Sequence, residues 1–122
     1  VLADRCSEKI RALELQNFSP KTRDNYQKLL KILAPRKVSL VCVQYPLRSV
    51  DVARQFFTPE QKVVFVDNES VFRKALKKVP VARIFMDLFA GDFGHCTPEG
   101  NRVLAENVAD EIVKNFFLND PA

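Results

Sequence analysis

Val38-Ser39-Leu40-Val41-Cys42-Val43 is short, rich in β-branched residues and almost wholly apolar. A strand with one wet face alternates polar and apolar residues. A continuous apolar run is how a parallel strand covered on both faces reads. Lys62-Val63-Val64-Phe65-Val66, ending at Asp67, has the same character and is expected to be its neighbour. Ala82 to Met86 is a shorter candidate for a third strand.

Helical signals alternate with these runs. Leu2, Cys6, Ile10 and Leu13 recur at helical spacing, so an amphipathic helix is expected over about 2–15. Ser19 followed by Pro20 suits an N-cap and first helical residue. The helix they open should bury Tyr26, Leu29, Leu30 and Leu33 and end near Pro35. Ser49 is a candidate cap for a short helix holding Val52, Ala53, Phe56 and Phe57, and Glu69 to Lys77 is expected to be another helix. Thr97 and Pro98 open the last, whose expected buried stripe is Leu104, Val108, Ile112 and Phe116. This alternation of helix and strand argues an α/β sandwich with a parallel sheet. Two or three strands make a thin sheet, and a central parallel strand wants neighbours on both sides. Further strands are therefore expected from an amino-terminal portion or a partner chain.

The chain has 122 residues, one domain or part of one, and an apolar content of 47% that is ordinary for a globular fold. No apolar run approaches the roughly 18–20 residues that span a bilayer. Val1 to Lys9 is too charged to read as a signal peptide, and the start at Val1 suggests a processed chain or a segment. The net charge of +4 comes from interleaved acidic and basic residues. The dense basic stripe that nucleic-acid binding asks for is missing. Cys6, Cys42 and Cys96 form no C-x-x-C pair, and with a single histidine a Cys/His zinc site is not expected. Cys42 reads as a small buried hydrophobe. Free cysteines lean towards a reducing compartment.

The chemistry is concentrated in Asp87 to Asn101, D-L-F-A-G-D-F-G-H-C-T-P-E-G-N. Asp92-Phe93-Gly94-His95 has the form D-x-x-H. Such spacing across a glycine-containing turn can return a carboxylate onto an imidazole, the orienting role of the acid in a Ser-His-Asp triad. The longer D-x-x-H-x-T-P-E-G-N, followed by an amphipathic helix, resembles the last conserved block of the SGNH (GDSL-type) serine hydrolases. Val38–Val43 with Gln44-Tyr45-Pro46, and Val63–Val66 with Asp67, are similar to that family's late core strands, so the resemblance spans about 25–116.

The resemblance implies a flavodoxin-like three-layer α/β/α sandwich, incomplete in this chain. It further implies hydrolysis of a small ester or acyl substrate without metal or organic cofactor. His95 would be the general base and Asp92 its orienting acid. The sequence departs from the family at the nucleophile. Ser7, Ser19, Ser39, Ser49 and Ser70 all lack a glycine neighbour, and no glycine precedes Gly91, so the G-D-S block, the oxyanion glycine and the G-x-N-D asparagine are absent. On this reading the missing amino-terminal half, or a second copy of the chain, completes the sheet.

Other readings stand beside these. His95 can be a structural histidine satisfied by Asp92 and the loop. Asp67 and Asp87 follow apolar segments and suit turn or capping roles, or the ligand-facing ends of strands. Cys96 adjoins His95, yet no oxyanion-binding motif precedes it as a nucleophile. Gln44, Tyr45 and Arg48 either line a cleft or pack as a loop. The whole chain can also be a non-catalytic binding or interaction module.

Overall fold

The structure, a computed structural model, describes Lys9, residues 19–89 and residues 94–118. The helix expected over 2–15 lies outside these residues apart from Lys9, and so does Asp92. The described elements are α1 (Pro20–Leu33), a 3-10 turn (Ala34–Arg36), β1 (Val41–Val43), α2 (Asp51–Arg54) and a second 3-10 turn (Pro59–Gln61). They continue with β2 (Val64–Val66), α3 (Asn68–Leu76), α4 (Val81–Ile84) and α5 (Pro98–Phe116). The fold is mixed α/β: three main helices, α1, α3 and α5, and a two-stranded parallel sheet packed with helices.

The chain divides into two compact units. The first comprises the described residues within Val1–Leu40 and Asp51–Val63. Its order comes from an aromatic group: Tyr26 of α1 stacks on Phe56 at 5.6 Å and meets Phe57 edge-on at 5.4 Å. Gln27 adds a polar seam, donating to the Phe56 carbonyl at 2.6 Å and exchanging side-chain hydrogen bonds with Gln61. α1 begins where Ser19-Pro20 indicates, although the Ser19 hydroxyl makes no cap bond. Its expected stripe is only half-buried, with Leu29 exposed. α2 is a single turn, so Phe56 and Phe57 fall in the turn behind it rather than on the helix.

Val41–Val50 and Val64–Ala122 make the second unit. Here β1 and β2 pair in parallel, Val41 beside Val64, Cys42 beside Phe65 and Val43 beside Val66. Both strands are shorter than expected, for a definable reason in β2. Lys62 has φ 51°, in the left-handed region, and a residue there cannot lie in a pleated strand. Lys37 (φ 54°) likewise closes the 3-10 turn ahead of β1. β1 is also not covered on both faces: Cys42 is buried while Val43 is 48% exposed. The pleat sends neighbouring side chains to opposite faces, so the Cys42 face of β1 packs while the face of Val41 and Val43 is only partly covered.

Strands of three residues are marginal alone, and the core beside them carries the stability. Asp67 ends β2 and caps α3 by accepting the Ser70 amide. Phe72, fully buried on α3, leads a cluster with Leu47, Ile84 and Phe85. Ala75, Leu76, Val79, Cys96, Val103 and Leu104 pack around it. α5 lies against β2, α3 and α4 through a half-buried face of residues 103, 104, 107, 108, 111 and 112, the spacing of one side of an α-helix. Phe116, expected at the end of that stripe, is exposed.

The expected third strand over Ala82–Met86 is not formed. Pro80 sits at the N-cap of the single-turn helix α4, and the chain becomes extended only at Phe85, which makes an isolated antiparallel bridge with Cys96. Phe72→Ala is expected to lower the unfolding free energy by about 3–5 kcal/mol. A fall in the urea midpoint at unchanged slope would register it.

Candidate functional site

The loop that carries His95 is fastened by backbone hydrogen bonds. The Met86 amide donates to the His95 carbonyl at 2.8 Å, and the Thr97 amide donates to the Ile84 carbonyl at 2.9 Å. Extended backbone alternates its side chains. Cys96 accordingly packs against the Phe72–Ile84 core while its neighbour His95 stands out, with 63% of its side chain exposed. Thr97 uses its hydroxyl twice, donating to the Arg83 carbonyl at 2.6 Å and accepting the Gly100 amide at 3.1 Å. It thereby caps α5 and ties it to the end of α4. Glu99, expected to serve only the helix dipole, also pairs with Arg83 at 2.7 Å.

Two glycines make this close approach possible. A Cβ at Gly100 would collide with the Ile84 carbonyl oxygen, and one at Gly94 would collide with that of Asp87. The register explains the second contact, since the Phe85–Cys96 bridge continued outward sets Asp87 against Gly94. The glycines of D-F-G-H and T-P-E-G-N are thus both demanded by packing.

Asp87 lies beside His95. Its Oδ1 accepts the His95 backbone amide at 2.7 Å, and its Oδ2 lies 2.8 Å from the ring Nδ1. Oδ1 is 3.0 Å from the same nitrogen. The His95 amide, and then the His95 ring, hold the Asp87 carboxyl below its ordinary value. The Phe89 ring meets the imidazole edge-on at 6.1 Å between centroids. A turn or capping role was expected of Asp87; instead it clamps a histidine. The sequence signal was the pairing register, which places residue 87 next to 94 and 95, and a register can be read only once both segments are known to pair. Asp92, the acid implied by the D-x-x-H pattern, lies outside the described residues.

The described cysteines do not join this chemistry. Burial pushes the Cys42 and Cys96 thiols up, away from the thiolate that a nucleophile needs. Cys6 lies outside the described residues. Among the described residues no group of three His, Cys, Asp or Glu side chains could hold a metal ion. No described helix is long and apolar enough to cross a membrane.

A second polar group was missed by the sequence reading. Asn68, fully buried, donates to the Gln44 carbonyl at 3.0 Å and accepts from Asn107 at 2.8 Å. Asn107 also donates to the Asp67 carbonyl at 3.1 Å. These bonds tie the carboxy-terminal ends of β1 and β2 to α3 and α5. The available signal was Asn107 itself, a polar residue on the packed face of α5 between Leu104 and Val108.

No family model matches the chain, and neither a curated protein nor a solved structure matches it.

Two outcomes follow from the loop geometry. Hydrogen bonds depress the Asp87 carboxyl, so it stabilises the fold fully above the unfolded value of about 3.9. That contribution is lost as pH falls through the lower, folded value. The Asp87 carboxyl carbon should therefore titrate below 3.9 in an NMR series, and a midpoint at or above it would refute the clamp. Gly94→Ala should reduce the local opening free energy by about 1–3 kcal/mol through overpacking. Faster hydrogen exchange at the Met86 and Thr97 amides is the readout.

Proposed function

We propose that this chain is the carboxy-terminal part of an SGNH (GDSL-type) hydrolase domain that cleaves an ester or acyl bond. His95 acts as general base and a loop carboxylate orients it, the role that the family resemblance carries to Asp92. One observation carries the reading: His95 is mostly exposed, yet its ring contacts a carboxylate through Nδ1 on a loop fastened to the core. A histidine kept for structure alone would more often be buried and satisfied. The parallel β1–β2 pair and the helix opened by Thr97-Pro98 support the finer fold, an incomplete flavodoxin-like three-layer sandwich.

In this reaction a serine attacks the substrate carbonyl and His95 takes its proton. Hydrogen-bond donors stabilise the oxyanion, and the imidazolium then returns the proton to the leaving group. The serine belongs to a segment outside residues 1–122, and that segment, or a second copy of the chain, completes the sheet. Serine chemistry of this kind asks for no metal or organic cofactor.

A non-catalytic binding module is the second reading, favoured by the serines themselves. None has a glycine neighbour, Ser49 is buried, and the Ser70 hydroxyl is bonded to Asp67.

A fluorophosphonate probe separates the two. The chain with its upstream polypeptide should gain one probe mass at a serine outside residues 1–122. His95→Ala should slow labelling at least about a hundredfold with the fold intact by circular dichroism. Undiminished labelling of that variant sinks the assignment, and no labelling at all favours the binding module.

A further inference from the structure

We propose that Asp87 is the positioning residue for His95: its carboxylate, anchored on the His95 backbone amide, holds Nδ1 and thereby sets the tautomer of the ring. The catalytic meaning of this rests on reading His95 as the base, but the tautomer can be measured whether or not the chain hydrolyses anything.

The argument begins with how firmly Asp87 is placed. Ile84 and Phe85 are buried in the core, and the Met86 amide is bonded to the His95 carbonyl. The Asp87 backbone therefore leaves a fixed ladder, directly against Gly94. Its side chain is fixed in turn by the His95 amide on Oδ1 at 2.7 Å, which leaves Oδ2 at 2.8 Å from Nδ1. One carboxylate thus grips the backbone and the ring of the same residue. An exposed ion pair between two flexible side chains contributes little; here the second contact needs almost no further ordering.

A carboxylate is an acceptor only, so the nitrogen facing it carries a proton. Asp87, held low by its hydrogen bonds, is ionised near neutrality. Neutral His95 is then protonated on Nδ1, and the lone pair falls on Nε2, the arrangement a general base requires. Asp92 is the acid that the D-x-x-H spacing offered for this role. Among the described residues the carboxylate at Nδ1 belongs to Asp87, eight positions before the histidine and brought back by the Phe85–Cys96 bridge.

The clamp makes a sharp prediction for Asp87→Asn. The His95 amide must face an oxygen, so the asparagine carbonyl takes the place of Oδ1. The amide NH₂ then occupies the position of Oδ2 and donates to Nδ1. That nitrogen becomes an acceptor and the proton moves to Nε2.

His95 is the sole histidine of the chain, so a long-range ¹H–¹⁵N spectrum of the labelled protein reports its ring without ambiguity. At a pH where the ring is neutral, the wild-type protein should show a protonated Nδ1 and an unprotonated Nε2. Asp87→Asn should invert the two signals, and Asp92→Asn should leave them as in wild type. A wild-type ring protonated on Nε2, or an inversion caused by Asp92→Asn and not by Asp87→Asn, overturns the proposal. If Asp87→Asn fails to give a dispersed amide spectrum, Asp92→Asn decides: an unchanged Nδ1–H supports Asp87, and inversion refutes it. Labelling by the fluorophosphonate probe is a separate readout. Its failure would remove the hydrolase reading while leaving the Asp87 tautomer result intact.

Discussion

The second unit depends on one short backbone pairing, between Ile84–Met86 and His95–Thr97. Two amide–carbonyl bonds join these segments, from Met86 to His95 and from Thr97 to Ile84. Each is modest in net terms, about 0.5–1.5 kcal/mol. Their placement matters more than their strength. They set the first turn of α5 against the end of α4, bury Cys96 in the core and turn His95 outward. They also bring Asp87 opposite Gly94, from where its carboxylate reaches the ring. Gly94 and Gly100 are the sequence's concession to this approach, since a methyl group at either position would strike a carbonyl oxygen.

A sheet of two three-residue strands cannot account for the packing by itself. The apolar cluster led by Phe72, Ile84 and Phe85 supplies hydrophobic stabilisation, each fully buried side chain contributing about 1.5–3 kcal/mol. The Asn68–Asn107 network adds specificity of position. Asn68 is buried with its donor and acceptor both used, so α3 and α5 cannot slide relative to the ends of β1 and β2 without orphaning polar groups. A firm base under an exposed histidine is what allows a loop residue to be held at hydrogen-bond precision.

Much of the fold was legible because it is written in local signals. Ser19-Pro20 and Thr97-Pro98 mark helix starts through backbone chemistry that operates within a few residues. Asp67 after β2 was readable as a cap for the same reason. The failures are equally physical. Lys62 looked like the first residue of a strand, but its left-handed backbone reflects the 3-10 turn before it. Ala82–Met86 has strand-like composition, yet Pro80 and the close approach of α5 favour a helical turn followed by a single bridge. Burial of both faces of β1 was inferred from apolar content, whereas exposure depends on which neighbours are present.

The amino-acid sequence by itself determined the mixed α/β class, the parallel character of the paired strands and the start of the last helix. All of these follow from periodicity, capping and short spacings, which act along the chain. Tertiary structure alone decided which described carboxylate meets the imidazole, that Cys96 faces the core and that Asn68 and Asn107 bond to each other. Such contacts join residues eight to about forty positions apart, and only the register of pairing and packing, a property of the folded backbone, brings them within hydrogen-bond reach.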